Sequence, residues 1–460
     1  MTPQDMERPA GLTPGDEGRA REIAAWALAA CAADEVECVL LGEDSALTRF
    51  ASNHIHQNVR ERNTEVRVRA VVAGRIGAAS TNDLTKPGVE TAARRAADLA
   101  RLSPVVEAWP GLPDPMTAPP MPAPDEATVA ATPEDRAGRV GVICRLAADH
   151  DGEAAGALST AHQTVAVANS KGMWAFGDRS RARWVAVVLS GSGSGYSQWV
   201  GSRLADLDHE ALAAEAVDKA VGSRDPVDVE AGDYPVVLES YAVGTLVGFL
   251  GMLGFSGQAV VEGRSFMARR FGERVTGGAI TITDDCQHPL TLPMSFDYEG
   301  VPRQRVVCVE AGVARNAVWD RTSAARFDGG QTSTGHALPA PNSMGPVPGH
   351  LVLSPGDADA AALAAPVERG LYVTRFNYVR PVMPMQTVIT GLTRDGTFLI
   401  EDGRIAQPVK NLRFTQSILE ALDTVEAVGS ELRPVGESIG SMAVPALRLG
   451  RFRFTGTTSY

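Results

Sequence analysis

Between Ser240 and Val261 the chain carries no charged residue, although Asp, Glu, Lys and Arg make up 21% of it. Any fold must bury this stretch. Leu246, Phe249, Leu250 and Leu253 recur at helical spacing, which predicts a helix with one face inside a core. A run of roughly 20 apolar residues is also long enough to span a bilayer. Here Gly244, Gly248, Gly251, Gly254 and Gly257 dilute the run, Ser240, Thr245, Ser256 and Gln258 are polar, and no second such run exists. The segment reads as the buried central helix of a soluble domain, its glycines letting neighbours approach closely.

The chain's 460 residues are enough for two or three domains. A formal net charge of −12, without a local basic stripe, argues against direct nucleic-acid binding. The stretch 1–20 is acidic and rich in Pro and Gly; it reads as a disordered tail, neither signal nor transit peptide. Cys31, Cys38, Cys144, Cys286 and Cys308 are scattered and odd in number, as expected of reduced thiols in a cytoplasmic protein.

In chain order, Arg21 to Ala33 reads as a helix. Strands are expected at Val36 to Leu41, Leu47 to Ser52, Thr64 to Ala73 and Ile76 to Ser80, then a helix from Pro87 to Leu102, capped by Asn82 or Asp83. These make a first α+β domain over 21–103, followed by a Pro/Ala-rich connection over 104–133. A second α+β domain over 134–225 comprises a helix from Pro133, four strands between His162 and Ser202, and a helix from Asp208 to Gly222. The glycine–serine run from Gly191 to Gly195 reads as a flexible hairpin tip. It lacks the lysine and helix start of a phosphate loop. The segment 226–460 reads as a larger β-rich domain around the central helix, with Asn411 to Leu422 as a last helix and Leu447 onward as a closing strand. The fold class is α+β.

No catalytic set assembles itself from spacing. His54 and His56 share a strand face, but two ligands do not make a metal site. Asp284, Asp285, Cys286 and His288 are closer together, yet match no zinc pattern, and a strand ending in Asp-Asp more often turns. His336 and His350 sit among Pro and Gly without a nucleophile in view.

Four segments carry a resemblance. NHIHQNVRERNTEVRVRAVVAGRIGAASTND (Asn53 to Asp83), VAVANSKGM (Val165 to Met173), ITITDD with FDYEGVP (Ile280 to Asp285, Phe296 to Pro302) and FLIEDGRIAQPVKNLRF (Phe398 to Phe414) together resemble the TldD/PmbA family, also described as modulators of DNA gyrase. The resemblance implies a metallopeptidase framework. Active TldD-type members place H-E-x-x-x-H on the central helix and add a cysteine much later. Two imidazoles and a thiolate hold zinc, and the Glu takes a proton from its water.

Laid on this chain, that motif falls on Ser240-Tyr241-Ala242-Val243-Gly244-Thr245. Ser240 and Thr245 stand at the histidine positions, Tyr241 at the glutamate, and Arg394 or a neighbour at the late cysteine. Only the Ala-Val-Gly centre matches. The resemblance therefore points to the PmbA (TldE) branch: a non-catalytic subunit that binds no zinc itself and completes a peptide channel with a zinc-bearing TldD-like partner. The alternatives are a stand-alone peptide-binding or scaffold protein, homodimeric if self-paired, and a peptidase with an atypical site using Tyr241, Asp284, Asp285 and His288.

Overall fold

A computed structural model describes residues 12–437 and 440–457. Residues 1–11 of the expected tail lie outside them, but the remainder of 1–20 is ordered. Leu12 is buried, the Gly15 amide donates to the Thr164 hydroxyl at 3.0 Å, and Asp16 caps helix α1 (Glu17–Ala30) by accepting from the Arg19 amide. One leucine and one cap anchor what composition alone marks as loose.

Strands β1 (Glu35–Ala51), β2 (His54–Val72), β3 (Arg75–Thr81), β4 (Glu153–Asn169), β5 (Trp174–Ser190) and β6 (Gly193–Gly201) form one antiparallel sheet, ordered β3-β2-β1-β4-β5-β6. The segments 21–103 and 134–225 therefore share a sheet, joined where β1 pairs with β4. β2 is longer than its period-two alternation suggests. From His54 to Asn63 it pairs with β1 while standing exposed, so no hydrophobic pattern marks that half.

Helices α1 and α2 (Lys86–Leu102) cover one end of the sheet with alanine faces. Thr85, not Asn82 or Asp83, caps α2: its hydroxyl accepts from the Gly88 amide. In the connection, a single turn, α3 (Glu126–Val129), precedes α4 (Pro133–Asp149), which packs with α5 (His209–Gly222) on the other end. The expected flexible tip is mostly strand. A Cβ at Gly193 or Gly195 would lie 2.1 Å from the Ala220 carbonyl or 1.9 Å from that of Ala216, so these glycines let α5 seat on β6.

The rest contains β7 (Gly232–Leu238), α6 (Ser240–Gly254), α7 (Gly257–Val261), β8 (Ile282–Asp284), β9 (Val306–Glu310), β10 (Val313–Ala314), β11 (Leu351–Leu353), β12 (Arg369–Met383), β13 (Val388–Glu401), β14 (Arg404–Pro408), β15 (Leu412–Ser417), β16 (Val425–Val428), β17 (Arg433–Glu437), β18 (Gly440–Val444) and β19 (Leu447–Thr457). β12 bonds to both β7 and β13, closing β12-β7-β19-β15-β13 into a ring. The rings of Phe376, Phe414 and Phe452, from three of its strands, pack at centroid distances of 4.5, 5.4 and 5.5 Å. A second sheet runs β10-β9-β8-β11-β18-β17.

The segment Asn411 to Leu422, expected as a helix throughout, is half β15 and half a short helix. Leu412, Phe414 and Gln416 alternate inward, and only Ile418–Asp423 is helical, capped by Ser417. Helix α6 lies between the ring and the second sheet, touching β7 and β12 on one side and β11, β17 and β18 on the other. That sandwiching explains why it is apolar nearly all round. Among the described residues, no helix is long and apolar enough to cross a membrane.

Candidate functional site

Helix α6 begins at Ser240, after Glu239 as N-cap. A partly buried ion network surrounds this end. Lys219 Nζ donates to Glu215 at 2.8 Å and to Glu239 at 2.5 Å, and Arg433 Nη1 donates to Glu215 at 2.8 Å. Ser240 shares a cavity of about 350 Å³ with these groups. Burial pushes the Lys219 pKa down, but Glu239 and Glu215 outweigh it and hold the ammonium charged. Lys219 is thus no base for the Ser240 hydroxyl, which disfavours a Ser–Lys hydrolase.

Ser240 and Thr245 are five positions apart, which on a helix turns their side chains about 140° from each other. Accordingly Thr245 opens into a different cleft, of about 480 Å³, bounded by Tyr241, Phe249, Met252, Arg375 and Tyr378. The Thr245 hydroxyl donates to the Tyr241 carbonyl at 3.2 Å. Tyr241 itself is buried: its hydroxyl donates to the Gln198 carbonyl and accepts from the Gln198 amide, and its ring meets Tyr196 edge-on at 5.3 Å. Burial and the nearby Glu215 push its pKa well above that of a free phenol.

This donor set does not fit zinc. Ser240 and Thr245 present hydroxyls that stay protonated near neutral pH, and they diverge. Tyr241 is neutral and already bonded. Among the described residues, no three His, Cys, Asp or Glu side chains are placed to hold a metal ion. Gly244, the third matching residue of the helix centre, lies against Val435, where a Cβ would come 2.9 Å from Cγ1. Arg394 is half-exposed, 3.7 Å from the Asp395 carboxylate. Arg375 lines the cleft together with Arg183 and is held in place there. It pairs with Asp395 and stacks 4.1 Å over the Tyr196 ring.

The structure does not bring Asp284, Asp285 and His288 together. Asp285 turns outward to Arg305 at 3.2 Å, and His288 Nδ1 accepts from the Leu290 amide at 3.3 Å. Asp284 turns inward, where it meets His336 Nε2 at 2.9 Å and accepts from the His350 amide at 2.8 Å. His336 Nδ1 lies 2.9 Å from the Thr334 hydroxyl, completing a Thr–His–Asp chain. The arrangement has the order of a hydrolytic triad without its access. His336 is wholly buried, and Thr334 Oγ1 is held by the Trp319 backbone. Burial pushes the Asp284 carboxyl up, but His336, His350 and Arg303 hold it below the usual range. Burial and Arg303 depress His350 to about 3. These groups brace the core. His54 and His56 stand exposed at the start of β2, with His54 Nδ1 2.6 Å from the Ser52 carbonyl.

The segment Phe296 to Pro302 fastens the N-terminal sheet to the C-terminal domain. Arg69 Nη2 of β2 donates to Glu37 of β1 at 2.5 Å and to Glu299 at 3.0 Å. Asp297 accepts from the amides of Glu299, Val301 and Ala337. All four side chains are buried; Arg69 serves Glu37 and Glu299, while Arg303 is the cation that acts on Asp297. Burial raises Glu37 and Asp297, each to about 7, with Glu299 adding to both.

Comparison with known proteins matches three stretches of the chain. Family models described as PmbA/TldA metallopeptidase domain 1, central domain and C-terminal domain match residues 36–100, 132–224 and 231–456. A "Metalloprotease" from Methanothermobacter thermautotrophicus is 28% identical over 234 residues, covering 49% of each chain. A "Metalloprotease TldD homolog" from Haemophilus influenzae is 25% identical over 268 residues, 55% of this chain and 54% of that one. The chain thus spans about half the length of the curated relatives it matches. The crystal structure of TldE from Thermococcus kodakarensis superposes with a TM-score of 0.86 at 22% identity, covering 95% of this chain and all (100%) of the other. That likeness concerns the fold.

Proposed function

The chain belongs to the PmbA/TldD metallopeptidase family, and from that premise we propose that it is a non-catalytic, TldE-like subunit of a heterodimeric, cytoplasmic peptidase. It binds no zinc, and pairs with a TldD-like chain that supplies the metal. Its own contribution is a wall of the peptide channel. The observation that carries this reading is the state of α6: Ser240 and Thr245 open into separate cavities, and Tyr241 is locked to the backbone of β6. The helix is packed between the ring and the second sheet, and its Ser240, Tyr241 and Thr245 make no zinc donor set. The cleft beside it offers apolar and aromatic walls with a few polar groups, a surface suited to an extended peptide.

The test is reconstitution. The purified chain alone, with or without added zinc, is expected to leave unfolded peptides uncut. Together with a TldD-type chain it is expected to form a stable complex that cleaves them and is stopped by chelator. Chelator-sensitive cleavage by the chain alone would sink the proposal, as would failure to associate.

A further inference from the structure

Three arginines on β5 stand on one face of the N-terminal sheet. Side chains alternate along a strand, so Arg179, Arg181 and Arg183 point the same way, about 7 Å apart. Val185 and Val187, next on that face, pack against the C-terminal core, so the row faces the other domain. Arg179 lines a cleft of about 790 Å³ between the domains, and Arg183 lines the 480 Å³ cleft beside α6. The row connects the two.

Its charge is poorly matched. Arg181 lies 3.2 Å from Glu43, but among the described residues no carboxylate comes within 4.0 Å of Arg179 or Arg183. Arg179 donates only to neutral oxygens, Nε to Gln163 at 3.0 Å and Nη1 to the Pro293 carbonyl at 3.2 Å. The cross-strand neighbours on β4 are Gln163, Ala161 and Ser159, none of them acidic. Glu43, the nearest acid by register, is already shared between Arg181 and Gln163. Burial depresses the Arg179 pKa; Tyr298 and Glu43 act against that shift, and Arg181 and Arg303 act with it. In a chain of net charge −12, cations left in a cleft without counter-charge are a specific feature.

We infer that Arg179, Arg181 and Arg183 form a track that binds an extended peptide carrying carboxylates at alternate positions. The inference rests on the peptide reading above and adds a substrate class to it. An extended peptide repeats its side chains on one face at the same pitch as β5. Arginine forks hold carboxylates by paired, charge-assisted hydrogen bonds. The larger cleft has prolines along one wall and no Phe, Tyr or Trp on which a base would stack, although the smaller one carries Tyr and Phe, so an oligonucleotide is included in the test.

The experiment measures fluorescence anisotropy of the full chain with three labelled peptides, alternating Glu-Val, Lys-Val and Ser-Val, and with a thymidine oligonucleotide. The Glu-Val peptide is expected to bind about tenfold tighter than Ser-Val, the worth of one charged hydrogen bond. The preference should shrink with added salt. Arg183→Gln touches no partner side chain and should fold normally, yet remove most of it. Arg179→Gln should do the same, with unfolding midpoint measured to separate loss of its tie to Pro293. Equal affinity for Glu-Val and Ser-Val overturns the inference and leaves the peptide reading standing. Binding of no peptide overturns both. Tighter binding of the oligonucleotide overturns the acidic-peptide assignment.

Discussion

The hydroxyl of Tyr241 sits 3.4 Å from the Gln198 carbonyl, to which it donates, and 3.3 Å from the Gln198 amide, from which it accepts. One phenol therefore occupies both polar groups of a residue on the unpaired side of β6. It ties the first turn of α6 to the N-terminal sheet. Tyr241→Phe is expected to cost about 1–3 kcal/mol, since it strands buried backbone groups. Chemical denaturation reads this directly. Tyr241→Glu should cost more, because it sets a carboxylate among Glu215 and Glu239 with Lys219 already engaged. If Tyr241→Glu is as stable as Tyr241→Phe, the ion network is looser than described.

The glycines of α6 are not equivalent. A Cβ on Gly254 would fall 1.9 Å from the Phe266 ring, whereas one on Gly244 would meet a Val435 methyl at 2.9 Å. Phe266 is fixed edge-on against Phe255 at 6.0 Å, so it has little room to yield. Gly254→Ala is expected to destabilise by about 1–3 kcal/mol or more through overpacking. At Gly244 a small shift of Val435 is weighed against the roughly 1 kcal/mol that alanine gains in helix propensity, so Gly244→Ala should be close to neutral. Thermal unfolding of the two variants ranks them. The reverse order would mean that the helix can slide on its neighbours.

Much of the architecture is written in local pattern. The uncharged run became α6 because a helix sandwiched between a ring and a sheet has no face left for charge. The alternation at Thr64 to Ala73 marks only the buried part of β2. The exposed half and the full length of β1 carry no period, because their order comes from cross-strand bonds instead. Asn411 to Leu422 misled for a related reason: β15 closes a ring, and ring closure is a property of five distant strands. At the site, the family resemblance singled out Ser240, Tyr241 and Thr245 on α6. It did not show that two of them face different cavities. The partners of Asp284 were illegible, since His336 and His350 reach it only once β8 and β11 pair.

The Asp284 cluster predicts a steep acid limit. A histidine whose folded pKa is depressed adds stability that is present above its unfolded value of about 6.5 and is lost as pH falls. For His350, depressed to about 3, that loss runs from about 6.5 downward. Asp284, also depressed, loses its contribution in the same direction, at lower pH. Between pH 7 and pH 4 the contribution of this cluster to the unfolding free energy should fall, against the opposite trend of Glu37 and Asp297. His350→Asn should lower stability at pH 7 but flatten the slope below 6.5. An unchanged slope in that variant would place the acid sensitivity elsewhere.

The network at Arg69 predicts the opposite trend at higher pH. Glu37 and Asp297 have raised folded pKa values, about 7 each. Their contribution is therefore fully present below the unfolded carboxylate range and is lost as pH rises through about 7. The cause is burial and like charge: Glu37 and Asp297 are both buried beside Glu299, and ionising them adds negative charge to that seam faster than Arg69 and Arg303 offset it. Raising the pH from 6 to 8.5 should loosen the attachment of Phe296 to Pro302 to β1 and β2 while each domain's core stays folded. Amide hydrogen exchange, corrected for its intrinsic pH dependence, should show faster opening at Glu299 and Val301, whose amides Asp297 accepts. Glu37→Gln keeps a hydrogen-bond acceptor for Arg69 while removing one charge, so it should suppress most of that increase. If the variant opens as readily as the parent at pH 8.5, Asp297 alone sets the response, and Asp297→Asn becomes the variant that abolishes it.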